Sequence, residues 1–203
     1  MLTLRNSTPV AELDALSSRI FSKLVEVPEI QGARTVSTYL HTGSEVRTGK
    51  IVDWLLSKDK RVVVPLSDKL NKRLLFSELR DPEKELAPGT YGILEPKLEF
   101  RRPVPLEQVD VILVPGVAWD RRGYRIGYGA GYYDRSINSL VTSVFKIGLA
   151  YEFQLVERIP TSRYDRRVDE IVTELGVIDT GLKEPGIRVG IDHRACQLRY
   201  PRL

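Results

Sequence analysis

The stretch VDVILVPG, residues 109–116, is a run of apolar residues that ends in Pro-Gly. A strand with one solvated face alternates polar and apolar residues, whereas a strand covered on both faces does not. We therefore expect residues 109–116 to form a central strand of a buried, parallel sheet.

Two further candidate strands precede this stretch and flank a helical pattern. The predicted strands are RTVSTYL (34–40) and RVVVPL (61–66). Between them, residues 47–60 predict a helix with Thr48 as its cap and with Ile51, Val52 and Leu55 on one face. An earlier amphipathic helix is predicted from Thr8-Pro9 to Val27. Strand, helix and strand in succession predict parallel pairing through a right-handed crossover.

The chain after residue 116 continues this alternation. YYDRSINSLV (132–141) predicts the start of a helix, VFKIGLAY (144–151) a strand, and DEIVTEL (169–175) a last short strand or turn. Residues 80–108 are rich in proline and glycine and are expected to form a surface excursion without long regular elements. The predicted fold class is α/β, with three layers and a mostly parallel sheet flanked by helices. We expect a single domain over residues 1–174 and an extension of no assigned role over residues 175–203.

Composition excludes several classes of protein. With 42% hydrophobic and 29% charged residues among 203, the chain is expected to be globular. The N-terminus lacks a signal-peptide pattern and no run of about 18 apolar residues occurs, so we expect a cytoplasmic protein without a membrane partner. Cys196 is the only cysteine, which excludes an intramolecular disulfide and a cysteine-based zinc site. A metal would therefore be bound by oxygen ligands.

The segment RIGYGAGYYDR, residues 125–135, is the strongest functional signal. Its glycines could serve only tight turns, since glycine adopts positive φ without steric cost. Glycines at alternate positions also expose successive backbone N–H groups, and such a nest binds anions. Arg125 and Arg135 bracket the nest, and the helix predicted from residue 132 would direct its positive dipole end toward the same anion.

Two common phosphate-binding motifs do not fit these residues. No glycine is followed by Lys-Ser or Lys-Thr, which excludes a Walker loop. The dinucleotide fingerprint would need a third glycine at position 132, where the chain has Tyr132, and about ten residues separate Val114 from Arg125. The segment is therefore a different type of anion-binding loop.

Asp134 has two possible roles. It could cap the helix that it begins, or it could bind Mg²⁺, which takes one or two carboxylates beside a phosphate. Asp169 is the candidate second ligand, although Asp165, Glu170 and Glu174 are close in sequence and the spacing does not rank them.

The string VDVILVPGVAWDRRGYRIGYGAGYYDR (109–135) resembles the signature of the 5-formyltetrahydrofolate cyclo-ligase family, also called methenyltetrahydrofolate synthetases. Further segments resemble the same family: YLHTGSEVRT (39–48), GILEP (92–96) and the run from Ala150 to Glu174. The resemblance implies a fold similar to that of the sugar-phosphate isomerase and CoA-transferase group. It also implies closure of a reduced folate to 5,10-methenyltetrahydrofolate with ATP and Mg²⁺.

The resemblance also implies roles for individual residues. Arg125 and Glu45 would act in catalysis, and Asp134 and Asp169 would hold Mg²⁺. The implied nucleotide-binding residues are Arg5, Arg125, Ile126, Gly127, Tyr128, Gly129, Ala130, Gly131, Tyr132 and Tyr133. The implied folate-binding residues are Leu40, Glu45, Tyr128, Gly129, Ala130, Gly131 and Tyr132. Met1 stands where the family usually has a lysine of the nucleotide site, so we expect weakened ATP affinity.

Two other functions remain open on the residues alone. A net charge of +4, a pI near 9.2 and tyrosines interleaved with arginines would suit a nucleic-acid-binding protein. The basic residues are spread along the chain without an RNA-binding motif, so we expect no nucleic-acid partner. An enzyme of similar fold could also use the nest to hold a sugar phosphate or a CoA ester without ATP.

Overall fold

The computed structural model describes residues 1–68, 70–71, 73–89, 92–129, 131–138, 144–163 and 165–181. The helices are α1 Leu2–Ser7, α2 Val10–Leu24, α3 Pro28–Gly32, α4 Gly49–Ser57, α5 Pro82–Glu85 and α6 Tyr132–Asn138. The strands are β1 Thr35–Ser37, β2 Arg61–Asp68, β3 Arg73–Leu79, β4 Leu86–Pro88, β5 Leu94–Pro96, β6 Val111–Val114, β7 Ala118–Asp120, β8 Arg125–Ile126, β9 Phe145–Leu149, β10 Leu155–Val156, β11 Glu170–Val172 and β12 Val177–Asp179.

Seven of these strands form one sheet in the order β12-β11-β9-β6-β1-β2-β3. The pairs β1–β2, β1–β6, β6–β9 and β9–β11 are parallel, and the two edge strands β3 and β12 pair antiparallel. Strand β6 lies in the middle of the sheet and all four of its residues are buried. The prediction of a central strand in a mostly parallel α/β sheet is therefore confirmed.

Both faces of the sheet are covered by apolar side chains. On one face α2 and α4 pack against the sheet through residues such as Ile20 and Leu55. On the other face Ile112, Val114 and Ile171 pack beneath Trp119 and the residues of the excursion that follows β3. Helix α6 lies beside β3, where the Ser136 hydroxyl accepts a hydrogen bond of 2.8 Å from the Leu74 N–H. This is the three-layer arrangement expected from the sequence.

The predicted boundaries of the first helix are wrong at both ends. Thr8 does not cap it, because the Thr8 hydroxyl donates to the Leu4 carbonyl at the end of α1, and the helix begins at Val10. At the other end the helix stops at Leu24. Val27 has extended backbone because it precedes Pro28, whose ring disfavours a helical residue before it.

The chain after Glu174 continues the sheet, since β12 pairs with β11. Strand β12 therefore lies inside the expected extension over residues 175–203, and residues 182–203 of that extension lie outside the described residues. Residues 80–108 form only short elements, including the β4–β5 hairpin, in accord with the proline and glycine content. No helix in the described part of the chain is long and apolar enough to cross a membrane.

Candidate active site

A cleft of about 940 Å³ opens at the carboxyl-terminal ends of the parallel strands. Crevices at this edge of parallel α/β sheets are the usual ligand sites, because the connecting loops diverge there. Its walls come from the loops after β1 and β6, the ends of β2 and β3, the β4–β5 hairpin, and the segment that leads into α6. The lining residues used below are Leu40, Glu45, Glu95, Arg125, Gly127, Tyr128, Gly129, Gly131, Tyr132, Tyr133, Asp134 and Arg135.

The glycine-rich segment forms one wall of the cleft with its backbone exposed. A Cβ atom added at Gly127 or Gly129 would meet nothing within 4 Å. Among the described residues, no acceptor is found for the backbone N–H groups of Gly127, Tyr128 and Gly129. Gly129 and Gly131 have φ of 90° and 62°, so those two positions also require glycine for the turn. The turn and anion-nest interpretations therefore both apply, and Ala130 lies outside the described residues.

The β7–β8 hairpin holds this segment in place through one buried carboxylate. Asp120 has no exposed surface, and its oxygens accept hydrogen bonds from the N–H groups of Arg122, Tyr124 and Ile159 at 3.0–3.2 Å. The Arg122 guanidinium donates to the same carboxylate at 2.7 Å. Burial alone would raise the pKa of Asp120, but these donors lower it below the ordinary value. Asp120 is therefore a fixed anion at the base of the hairpin.

Arg125 is buried beside the nest and already paired. Its side chain is 4% exposed and donates to the Asp134 carboxylate at 2.8 Å and to the Arg166 carbonyl at 3.2 Å. Arg135, at the other end of the segment, lines the cleft with its guanidinium over the Tyr132 ring at 5.8 Å. The cleft therefore has two guanidinium groups near the exposed backbone amides.

Arg5 is almost fully buried, at 2% exposure, although it lies in the short N-terminal helix α1. Its guanidinium donates to the Ser44 hydroxyl at 3.0 Å, to the Gly116 carbonyl at 3.1 Å and to the Tyr128 hydroxyl. Arg5 thus connects the loop after β1, the loop after β6 and the glycine-rich segment. It lies behind the cleft wall, because it is not among the residues that line the cleft.

Glu45 lies in the same hydrogen-bond chain. One carboxylate oxygen accepts the Thr42 N–H at 2.9 Å, and the carboxylate also shares a hydrogen bond with the Tyr128 hydroxyl. Burial raises the pKa of Glu45, and burial together with the Glu45 charge raises the pKa values of Tyr39 and Tyr133. These phenols therefore stay protonated at neutral pH and can donate hydrogen bonds.

Asp169 occupies a different environment from Asp134. Its carboxylate accepts the Lys146 N–H at 2.7 Å and the Lys146 ammonium at 2.8 Å, at the start of β9 and β11. Of the two predicted metal ligands, only Asp134 lines the cleft. The described residues contain no group of three or more His, Cys, Asp or Glu side chains placed to hold a metal ion.

Most of the other expected site residues face the cleft. Leu40, Glu45, Arg125, Gly127, Tyr128, Gly129, Gly131, Tyr132 and Tyr133 line it. Ile126 does not, since it is half-exposed in β8 and its carbonyl accepts the Val117 N–H at 2.7 Å. Two buried carboxylates near the site, Asp120 and Glu95, were not predicted as functional residues from the sequence. Both residues lie in segments that resemble motifs of the family, and this resemblance was the one sequence signal that pointed to them.

Comparison with known proteins identifies the family of this chain. Residues 1–174 match the model of the 5-formyltetrahydrofolate cyclo-ligase family. A 5-formyltetrahydrofolate cyclo-ligase of Escherichia coli K12 is 32% identical over 153 residues, which is 75% of this chain and 84% of that protein. The corresponding Haemophilus influenzae enzyme is 32% identical over 138 residues, 68% of this chain and 74% of that one. The solved structure of Aquifex aeolicus 5,10-methenyltetrahydrofolate synthetase has a TM-score of 0.78 and 32% identity, with 95% of each chain covered.

Proposed function

Because the chain belongs to the 5-formyltetrahydrofolate cyclo-ligase family, we propose that it converts 5-formyltetrahydrofolate to 5,10-methenyltetrahydrofolate with ATP and Mg²⁺. In this proposal the formyl oxygen on N5 attacks the terminal phosphorus of ATP, and ADP leaves. N10 then attacks the activated formyl carbon, and the phosphorylated oxygen leaves as inorganic phosphate. The proton of N10 is released, and the five-membered ring is closed.

In this reaction the protein mainly has to position the two substrates and neutralise the charge of the phosphates. An amide-like oxygen is a poor leaving group until it carries a phosphoryl group, and phosphoryl transfer proceeds when donor and acceptor are aligned and the developing charge is stabilised. The exposed amides of Gly127 and Gly129 would bind the phosphates, since a Cβ atom added at either glycine would meet nothing within 4 Å. Arg125 and Arg135 would supply the positive charge.

The residues present fit one magnesium ion next to the nest. Mg²⁺ bound to a phosphate chain keeps several waters and takes one or two carboxylates, so Asp134 alone gives a sufficient protein ligand. Its carboxylate lines the cleft and would have to share its charge between the metal and Arg125. The metal would neutralise phosphate charge. Asp169, which the resemblance implies as a second ligand, is paired with Lys146 at the starts of β9 and β11, away from the strand ends that border the cleft, so we place the metal on Asp134 alone.

The folate would lie across the other half of the cleft. Leu40 and Glu45 follow β1, and Tyr128 and Tyr132 line the cleft next to the nest. The raised pKa of Glu45 comes from burial, so contact with N–H donors of the pterin would stabilise its ionised form. The proposal thus places the formyl group between the tyrosines and the phosphate nest.

The observation that carries this proposal is that the amides of Gly127, Tyr128 and Gly129 have no acceptor among the described residues and lie beside a cleft with two arginines. The test is to mix the protein with 5-formyltetrahydrofolate, ATP and Mg²⁺, and to record the near-ultraviolet absorbance of the methenyl product together with ADP. We expect absorbance and ADP to rise in equal amounts and to stop when Mg²⁺ is chelated. A protein that forms neither product would contradict the proposal.

A further inference from the structure

The cleft contains one carboxylate that no step above uses. Glu95, in strand β5, lines the cleft and is 8% exposed. The neighbouring walls carry positive charge and exposed amides, which suit phosphates. A second buried anion in a site for anionic ligands is unfavourable unless it meets a group that needs it.

Glu95 has little compensation within the protein. Its nearest cationic atom is an Arg101 guanidinium nitrogen at 3.9 Å, and no hydrogen bond to its carboxylate is found among the described residues. Glu85, in the same excursion, makes the contrast clear. It accepts two hydrogen bonds of 2.9 Å from Arg102 and a third from the Arg80 N–H. Glu85 is therefore satisfied within the protein, whereas the Glu95 carboxylate lines the cleft without a hydrogen bond from the described residues.

The orientation of Glu95 depends on Gly89, across the β4–β5 hairpin. A Cβ atom added at Gly89 would lie 2.8 Å from the Glu95 carboxyl carbon and 2.9 Å from one of its oxygens. The backbone φ of Gly89 is not positive, so its backbone conformation does not require glycine. Its missing side chain instead leaves the space in which the Glu95 carboxylate lies.

The surroundings of Glu95 define the ligand group that would fit. Leu74, Ile93 and Leu94 line the cleft around it, which suits a flat, largely apolar ring. An ionised carboxylate only accepts hydrogen bonds, and two adjacent N–H donors can pair with both of its oxygens. Phosphates and glutamate carboxylates would be repelled. A pteridine carries the required pair in its 2-amino group and the neighbouring ring N3–H.

We propose that Glu95 is a specificity-determining residue that accepts hydrogen bonds from the 2-amino and N3–H groups of the folate pteridine. This inference rests on the proposed function and adds the residue that recognises this edge. Glu45 is less suited to it, since its carboxylate already accepts the Thr42 N–H and bonds to the Tyr128 hydroxyl. Glu45 then contacts the substrate from the nest side, and Glu95 fixes the far edge of the ring.

The first test compares Glu95→Gln with Glu99→Gln, an exposed carboxylate four residues along the same segment. Glutamine keeps the size but replaces one acceptor by a donor, so the paired hydrogen bonds are lost. A hydrogen bond to a charged group is worth about 1.5–3 kcal/mol, or roughly 10- to 100-fold in affinity. We expect the Kd for 5-formyltetrahydrofolate, measured by calorimetry without ATP, to rise by that factor in Glu95→Gln only. The KM for ATP and the Mg²⁺ dependence should not change.

A ligand analogue and two more variants separate recognition from structure. A 2-desamino folate should bind the native protein as weakly as 5-formyltetrahydrofolate binds Glu95→Gln, and the substitution should not weaken it further. Gly89→Ala should raise the folate Kd in the native protein but not in a Glu95→Ala background. Arg101→Gln removes the one cation found within 4 Å of Glu95 in the described part of the chain, so it should not reproduce the loss if Glu95 acts on the ligand.

Each result has a distinct meaning. If the native protein binds and converts 5-formyltetrahydrofolate while a folded Glu95→Gln protein shows the same folate Kd, the inference is wrong and the proposed function stands. A shift in Mg²⁺ saturation without a change in folate Kd would instead make Glu95 a metal ligand. If the native protein neither binds nor converts the folate, the proposed function itself fails.

Discussion

The Glu45 carboxyl group is held in a place that favours its neutral form. Burial raises its pKa, and the Thr42 N–H and Tyr128 only partly offset this effect. Between the unfolded and folded pKa values the folded protein holds a proton that the unfolded chain lacks, so stability falls as pH rises through that interval. At neutral pH the ionised Glu45 carboxylate therefore lowers the stability of the folded protein, and the same charge is available to bind a ligand.

We therefore predict that Glu45→Gln stabilises the protein at neutral pH while impairing turnover. The gain in free energy of unfolding should be larger at about pH 7 than at about pH 4, because glutamine has no proton to lose. Urea unfolding of both proteins at the two pH values measures this difference. A stability difference that does not depend on pH would show that the Glu45 charge carries no folding cost.

Asp134 is predicted to be required for Mg²⁺-dependent turnover. Asp134→Asn should remove activity and cost about 1–2 kcal/mol of stability, because the hydrogen bond from Arg125 becomes weaker when its acceptor is neutral. Activity against Mg²⁺ concentration, together with thermal unfolding, tests both effects, and Asp53→Asn, at an exposed position of α4, is the control. An active Asp134→Asn protein that still saturates with Mg²⁺ would leave Asp134 only as the partner of Arg125.

The β7–β8 hairpin depends on Asp120 for its shape. We predict that Asp120→Asn lowers stability by about 1–3 kcal/mol, because the amide replaces a buried acceptor oxygen by a donor and leaves N–H groups that bond to Asp120 without a partner. The native pKa is depressed, so the native protein's advantage should be complete at neutral pH and disappear as pH falls below about 3.9. ATP affinity should fall as well, since the hairpin carries the glycine-rich segment.

Unfolding curves at neutral and acidic pH, with ATP calorimetry on the folded variant, measure these changes. The Asp179→Asn protein is a suitable control, since Asp179 is an exposed residue of the edge strand β12. If Asp120→Asn unfolds like the native protein at pH 7, the hairpin is held by its backbone pairing alone.

Elements with strong local signals were predictable from the sequence, and elements that depend on distant partners were not. Residues 109–116 are apolar throughout, so their burial in the middle of the sheet follows from composition. The role of Asp120 depends on the Ile159 N–H, which is 39 residues away in sequence. The same holds for Glu95, whose position depends on the missing side chain of Gly89. Asp169 could not be ranked among its acidic neighbours, and its pairing with Lys146 appears only in the fold.

The fold as a unit explains why the site lies where it does. Parallel strands β1, β6 and β9 end at one edge, and the loops after β1 and β6 meet the glycine-rich segment there. Arg5 ties these three loops together from behind, which joins the proposed folate and nucleotide halves of the cleft. The family and its fold were thus predictable from motifs, while the joining of these three loops by Arg5 required the structure.

A crystal structure with Mg²⁺ and a non-hydrolysable ATP analogue tests the proposed function most directly. The phosphates should lie within hydrogen-bonding distance of the Gly127, Tyr128 and Gly129 amides, with Asp134 on the metal. A nucleotide bound outside the cleft, or phosphates without contact to these amides, would contradict the account.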